Sequence, residues 1–208
     1  MSYDVTTGII LLLGSFFILI ILRLPVIFAM CASTILTMLY TGTNLMTMMQ
    51  RMASSINSFS LLAIPFFLLA GEIMGAGGVS DQLVEVSNAL VGRFRGGLGH
   101  VNVLASMLFG GMSGSSAADI ASLGPIEMRL MNDSGYDPDY SCALTITSSC
   151  QGVLIPPSHN MIIYSMAVGG VSVGGLFMGG LIPGVLLGLL LMTMNGIISY
   201  RRHYPVGE

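Results

Sequence analysis

The sequence contains no lysine and no tryptophan, and charged residues make up only 8% of its 208 positions. Soluble domains carry roughly 25% charged residues. This deficit, together with a hydrophobic share of 53%, predicts an integral membrane protein. The net charge of −3 leaves no basic surface for nucleic acid, so we expect no nucleic-acid partner. The three cysteines have no metal-ligand spacing.

Long apolar runs predict an all-α, multi-span protein in the lipid bilayer. A helix needs about 20 apolar residues to cross the hydrocarbon core. Four runs approach or exceed this length, and the third contains Pro65, where we expect a kink. They are residues 5–22, 25–40, 59–74 and 173–200.

The remaining N-terminal segments predict shorter elements. Residues 45–57 are rich in methionine and contain Arg51, which is typical of an interfacial or packing helix. Residues 75–81 predict a glycine loop. Residues 82–91 have amphipathic helical spacing, with apolar side chains at 83, 86, 90 and 91 and Glu85 on the opposite side.

The arginines predict the topology, because cytoplasmic loops of membrane proteins carry an excess of basic residues. A straight crossing after residue 98 puts Arg129 outside. We therefore predict a re-entrant hairpin, in which residues 98–112 enter from the cytoplasm, 113–116 turn near the midplane and 117–130 return. With five full crossings, the N-terminus lies outside, and a second similar half is inverted. The arginines then placed in the cytoplasm are Arg23, Arg93, Arg95, Arg129, Arg201 and Arg202.

The stretch FGGMSGSSAADIASLG, residues 109–124, places small polar residues beside an apolar run. Non-helical backbone at membrane depth persists only where it is buried in protein or lines a wet cavity. Ser116 and Asp119 have the spacing of a capping box, which predicts that a helix restarts here. The amides of its first turn then form a seat for a carboxylate.

A second break is predicted within residues 140–170, at the sequence IPPS of residues 155–158. Prolines lack an N–H, so carbonyls in the preceding turn lose their partners. These carbonyls, together with nearby hydroxyls, form an oxygen-only shell suited to Na⁺, as in the broken helices of secondary transporters. The hydroxyl candidates are Thr147, Ser148 and Ser149.

Two alternatives remain open at this point. Clusters of small residues in membrane helices often serve only to pack helices together. Glu72 and Asp119 are carboxylates near apolar segments and are candidates for function, although both are also compatible with interface depth. His159, directly after the second break, is the histidine of most interest, whereas His100 suits the membrane surface.

Several motifs resemble the large membrane subunit of tripartite ATP-independent periplasmic (TRAP) transporters. They are LLAIPFFLLAGEIM (61–74), the stretch VGRFRGGLGHVNVLASMLFGGMSGSSAADIASLGPIEM (91–128), GYDPDYSCALTITSSCQGVLIPPSHNMIIY (135–164) and LFMGGLIPGVLL (176–187). The resemblance implies Na⁺-coupled import of organic acids, such as C4-dicarboxylates, across a bacterial inner membrane. It also implies two partners, a small TRAP membrane subunit and a periplasmic substrate-binding protein.

The resemblance further implies which residues form the ion and substrate site. Carried over to this sequence, Na⁺ ligands are expected among Ser113, Gly114, Ser115, Gly152 and Pro156. Substrate contacts are expected from Ser115, Ser116, Pro157 and Ser158.

The family's large subunit has two inverted halves and is roughly twice as long, so this chain corresponds to the first half, and a second permease half is a further possible partner. Within it we expect four segments. They are scaffold-type helices at 1–58, the third span and amphipathic connector at 59–97, the transport-type hairpin and broken helix at 98–172, and the final span and cytoplasmic tail at 173–208.

Two rival functions are compatible with parts of the sequence. Residues 111–114 read GMSG, a pattern that resembles rhomboid proteases, with Ser113 as nucleophile and His159 as base. A dyad explains neither the paired prolines nor the 61–74 motif, so we do not expect an enzyme. The other rival is a membrane scaffold that binds partners without transporting anything.

Overall fold

The computed structural model describes residues 4–57 and 59–206, without the side chains of residues 59 and 60. Over this range the chain forms eleven α-helices and no β-strand, which confirms the all-α fold class. Its contacts divide it into two units, Met1–Ser58 and Phe59–Glu208, which we describe separately. The functional roles expected for the four sequence segments stay predictions.

The first unit contains three helices whose predicted bounds are correct to within one residue at each end. Helix α2 begins directly after Pro25, and Gly42, with φ of 67°, ends it. Asn44 caps α3, because its side chain accepts a hydrogen bond of 2.9 Å from the Met46 N–H. The helices are α1 (Val5–Ile21), α2 (Val26–Thr41) and α3 (Leu45–Ile56).

The second unit contains eight helices and one short 3₁₀ turn, Cys150–Val153, between the fifth and sixth of them. Two of the helices, α4 and α11, contain an internal proline, Pro65 and Pro183 respectively. The helices are α4 (Phe59–Ala76), α5 (Val79–Val91), α6 (Gly97–Ser113), α7 (Ser116–Ser122), α8 (Gly124–Asp133), α9 (Pro138–Ser149), α10 (His159–Val168) and α11 (Val173–Arg202).

The structure corrects two predictions between residues 75 and 91. The predicted glycine loop is reduced to Gly77 and Gly78, because α4 continues to Ala76 and α5 begins at Val79. The predicted apolar face of α5 is also wrong, since Val86 is 51% exposed and Leu90 is 58% exposed. Its buried side chains are instead Ser80, Val84 and Ser87. Small residues permit close helix packing in membranes, whereas apolar side chains can face lipid.

Helices α6, α7 and α8 form the predicted helical hairpin, with two corrections. The restart after the turn is confirmed, but Ser115 rather than Ser116 is the cap, and its hydroxyl accepts a hydrogen bond of 3.3 Å from the Ala118 N–H. The returning arm is divided at Leu123 into two helices. The position of this hairpin relative to a bilayer stays a prediction.

The broken helix is confirmed, but the break begins earlier than predicted. Helix α9 ends at Ser149, five residues or more before the prolines, and the 3₁₀ turn continues to Val153 before the chain becomes irregular. We call residues 150–158 the break. Helix α11 packs a stripe of small residues against it: Gly180, Gly184 and Gly188 are buried, and Gly184 faces Ile155.

Helix α6 lies at the centre of the second unit and contributes to two hydrophobic clusters. Its Val101, Ala105 and Phe109 pack with Val84 of α5. Its Val103 packs in the other cluster, which includes Leu144 of α9, Leu191 of α11 and three stacked tyrosines, Tyr136, Tyr140 and Tyr204. The hairpin is therefore held on two sides.

Both ends of the hairpin meet the segment after α11, at what we call the base. At the entering end, the Gly96 N–H donates a 2.9 Å hydrogen bond to the Pro205 carbonyl, and Asn195 donates to the Gly96 carbonyl at 3.0 Å. At the returning end, the Tyr136 and Tyr204 ring centroids are 4.3 Å apart. A hairpin with both ends on one side is what a re-entrant path requires.

Asp137 joins α9 to α11 at the base. Arg202 donates to its carboxylate at 2.6 Å and the Tyr204 hydroxyl donates to the same oxygen at 2.8 Å. The Tyr204 and Arg202 hydrogen bonds lower the pKa of Asp137 from its ordinary value. Because the folded-state pKa is depressed, the stabilisation is present above the unfolded-state pKa and is lost as the pH falls through the folded-state pKa.

We therefore expect Asp137→Asn to lower the thermal midpoint of the detergent-solubilised protein at pH 7. The difference from wild type should narrow as the pH falls below about 4, where the unfolded carboxyl begins to protonate. Asp139→Asn, an exposed change in the first turn of the same helix, is the matched control. An equal loss in both variants, or a pH-independent difference, would contradict this role for Asp137.

Length and apolarity single out one helix, taken alone, that is able to cross a membrane within the described ranges: α11, with 30 residues. Helices α1 and α2 are apolar but shorter, with 17 and 16 residues. The five crossings and their directions stay predictions.

Candidate functional site

The turn between α6 and α7 forms the hairpin tip, residues 113–116. Gly114 has φ of 65°, a left-handed conformation that glycine adopts without strain. The Ser115 N–H lies 3.4 Å from the Ser113 hydroxyl, so the two serines close the turn. Ser116 is half-buried and its hydroxyl has no hydrogen-bond partner among the described residues. The tip therefore presents a free hydroxyl beside exposed backbone.

The break contains a set of unpaired carbonyl groups. Pro156 and Pro157, which have no N–H to donate, are joined by a cis peptide bond. Within the described chain, no backbone N–H donates to the carbonyl oxygens of residues 154–157. Ser158 donates instead to the Val153 carbonyl at 2.7 Å. Helix α10 then begins at His159 without a side-chain cap, so its first amides are also available.

The tip and the break are in direct backbone contact, and glycines make this possible. A Cβ atom built on Gly110 lies 2.6 Å from the Cα of Gly152, closer than two side chains tolerate. A Cβ on Gly114 overlaps the Pro157 carbonyl oxygen, and one on Gly152 lies 3.3 Å from the carbonyl carbon of Ser115. Only glycine permits the two backbones to approach this closely.

This contact brings together most of the residues expected in the site from the resemblance. Gly111 extends it, since a Cβ there lies 3.7 Å from the Pro156 carbonyl oxygen. The carbonyl oxygens of Pro156 and Pro157 therefore face the tip. The expected residues that meet here are Ser113, Gly114, Ser115, Ser116, Gly152, Pro156, Pro157 and Ser158.

The three hydroxyl candidates on α9 are bonded elsewhere. Thr147 is exposed and donates to the Ala143 carbonyl of its own helix at 2.7 Å. Ser149 likewise donates to the Ile146 carbonyl at 2.8 Å. Ser148 donates to the Asn102 side-chain oxygen at 2.7 Å. None of them forms a hydrogen bond with the tip among the described residues.

A buried polar cluster behind the tip was not predicted from the sequence. Asn102 of α6 donates to Glu127 of α8 and to Thr145 of α9, both at 2.8 Å. Its oxygen accepts from Ser148, whose hydroxyl lies 3.3 Å from that of Ser106. An asparagine and a glutamate in apolar stretches were the available signal, but which groups they contact depends on the fold.

Asp119 lies next to this cluster and has no hydrogen-bond partner. Its side chain is 1% exposed, and neither carboxylate oxygen is bonded within the described residues. Burial of an unpaired carboxylate is costly unless a proton or a cation compensates it. Glu72, the other carboxylate considered above, is exposed, so only Asp119 is placed where it could serve a buried site.

The proposed protease pair is not assembled. The Ser113 hydroxyl interacts with the backbone of Ser115, and the Nε2 atom of His159 has no hydrogen-bond partner. No hydrogen bond joins the two side chains in the part of the chain that is described. A nucleophile and its base need such a contact, although apo sites can be loose.

Comparisons with known proteins agree with the resemblance. The family model for the DctM component of tripartite ATP-independent periplasmic transporters matches residues 13–208. YgiK of Salmonella typhimurium is 42% identical over 211 aligned positions, which cover 100% of this chain and 48% of YgiK.

Two further relatives have names that state a substrate. The sialic acid TRAP transporter permease SiaT of Haemophilus influenzae is 39% identical over 189 positions, covering 90% of this chain and 30% of SiaT. The C4-dicarboxylate TRAP transporter large permease DctM of Pseudomonas aeruginosa is 40% identical over 147 positions, covering 71% of this chain and 34% of that protein. The chain spans less than half the length of each of these three relatives. It belongs to the DctM family, the large permease component of TRAP transporters.

Proposed function

We propose that this chain takes part in Na⁺-coupled import of an organic acid across a bacterial inner membrane. In this proposal it acts with a small membrane subunit, a periplasmic substrate-binding protein and a second permease half. The names of SiaT and DctM specify sialic acid and C4-dicarboxylates, both of which carry carboxylate groups. The common chemistry, rather than either substrate, is what we extend to this chain.

The observation that carries the proposal is the contact between the tip and the break. The break offers carbonyl oxygens without N–H partners at residues 154–157, and those of Pro156 and Pro157 face the tip. Carbonyl oxygens of unwound helices are the usual Na⁺ ligands in secondary transporters. The Ser116 hydroxyl and the uncapped amides at the start of α10 are donors suited to a carboxylate.

The residues present fit a Na⁺ ion, because the unpaired atoms around the tip are oxygens. Hard cations prefer such ligands, and the unpaired Asp119 carboxylate nearby adds negative potential that favours a cation. The chain's own residues position these oxygens, and the glycine contacts hold the two backbones at the distance on which the site depends.

We expect the purified chain to be more stable to heat in Na⁺ than in K⁺ or choline at equal ionic strength. A ligand at 100 times its dissociation constant stabilises the folded state by about 2.7 kcal/mol, enough to shift the thermal midpoint measurably. Ser116→Ala should reduce this Na⁺-specific shift without lowering stability in choline, because the hydroxyl has no partner to lose.

Ser122→Ala is the matched control, since Ser122 is half-buried at the other end of the same helix. It should keep the full Na⁺ shift. If wild type shows no Na⁺-specific shift, the cation site is not complete within this chain. If Ser116→Ala and Ser122→Ala behave alike, the Ser116 hydroxyl is not part of the site.

A further inference from the structure

A groove separate from the tip lies near the base, between the α5–α6 connection and the last turns of α11. Its volume is about 490 Å³, and its lining includes Phe94, Arg95, His100, Thr193 and Tyr200. Phe94 is 51% exposed and Tyr200 is 71% exposed. The groove therefore combines a basic group with aromatic walls that are open to the surroundings.

The positive charge of this groove is not neutralised by the protein. Arg93, Arg95 and Arg201 form no ion pair among the described residues, whereas Arg129 and Arg202 each have an aspartate. Arg95 lies over the Tyr200 ring, with 5.4 Å from its Cζ atom to the centroid. Its Nε atom is buried and has no hydrogen-bond acceptor, which is costly unless an acceptor is supplied.

The groove continues into an apolar strip along α11. Thr193 and Tyr200 mark one face of the helix, and preceding positions of that face, at helical spacing, carry exposed apolar side chains. These are Ile182, Leu186 and Leu189, which are 74%, 54% and 55% exposed. A basic group at one end of an apolar strip matches a molecule with an anionic head and hydrocarbon tails.

We propose that this groove binds an anionic phospholipid of the cytoplasmic leaflet. The phosphate accepts hydrogen bonds from the Arg95 guanidinium, whose planar donors suit phosphate oxygens, with Arg93 and Arg201 adding positive potential. The acyl chains lie along the α11 strip. Basic pockets between helices on the cytoplasmic side are where anionic head groups bind, and the topology predicted from the arginines places this end of the unit there.

The test titrates phosphatidylglycerol into the detergent-solubilised chain and follows the thermal midpoint, with phosphatidylcholine and inorganic phosphate as parallel probes. Phosphatidylglycerol should raise the midpoint, and the other two should not. One arginine near an anionic membrane surface contributes about fivefold in binding. We therefore expect Arg95→Gln to need about fivefold more phosphatidylglycerol for the same shift, and Arg129→Gln to behave as wild type.

Arg93→Gln, an exposed change at the rim, provides a second variant in case Arg95→Gln does not fold. It should also weaken the response to phosphatidylglycerol. Three results would overturn the proposal: an equal shift with phosphatidylcholine, an equal shift with inorganic phosphate, which indicates a site for free anions, or wild-type titrations for both variants. A groove that serves as a protein interface gives the first or the last of these.

Discussion

Gly114→Ala is expected to abolish the Na⁺-specific stabilisation of this chain and to lower its stability sharply. Two costs combine at this position. An alanine in the left-handed conformation, with φ of 65°, costs about 1–2 kcal/mol. The added methyl group also overlaps the Pro157 carbonyl oxygen, and forced overpacking costs about 1–3 kcal/mol more. Relief of that overlap requires the tip and the break to separate.

Gly135→Ala is the control that isolates the second cost. Gly135 also has a left-handed φ, of 87°, but a Cβ there meets nothing within 4 Å. Thermal unfolding in Na⁺ and in choline should therefore show a moderate, ion-independent loss for Gly135→Ala and a larger loss in Na⁺ for Gly114→Ala. Equal behaviour of the two variants would mean that the close approach to Pro157 does not matter.

Asn102→Leu should be the most destabilising single change in the polar cluster. It removes both donors from Glu127 and Thr145 and the acceptor of the Ser148 hydroxyl. The other Glu127 oxygen already has no partner, so this carboxyl is left buried without a hydrogen bond. An unsatisfied buried polar group costs about 1–3 kcal/mol, and more if charged, so we expect a total loss of about 3 kcal/mol or more.

Asn132→Leu provides the control, because Asn132 lies on α8 and is exposed. It makes the same chemical change and should alter the free energy of unfolding little. Adding Glu127→Gln to Asn102→Leu should recover part of the loss by removing any buried charge. The cluster would have no structural role if Asn102→Leu were no worse than Asn132→Leu in chemical or thermal unfolding.

The helices that sequence analysis placed well are those whose ends carry strong local signals. Pro25 and Gly42 bound α2, and Asn44 begins α3. Where signals conflict, the prediction fails. The glycines of residues 75–78 suggested a loop, but helix hydrogen bonds continue through Gly75, since a helix with tertiary contacts tolerates glycine at modest cost. Local composition does not reveal those contacts.

The candidate site divides along the same line. Prolines and glycines mark the tip and the break in the sequence because they alter the backbone directly. The cap was misplaced by one residue, from Ser115 to Ser116, because adjacent serines offer equivalent hydroxyls. The bonds of Asn102 reach 25 and 43 residues along the chain, and a single sequence carries no record of such pairings.

The hairpin is fastened unequally along its length. At the base, Gly96 and Asn195 take part in hydrogen bonds to the segment around α11, and Asn102 bonds across the middle. Among the described residues, no hydrogen bond joins the tip to the break, and only close glycine packing holds them together. Packing is recovered as soon as another atom fills the gap, whereas a broken hydrogen bond needs a replacement of matched geometry. The tip is thus the part of the hairpin that an ion or a carboxylate can separate at the lowest cost, with the base as the fixed point of that movement.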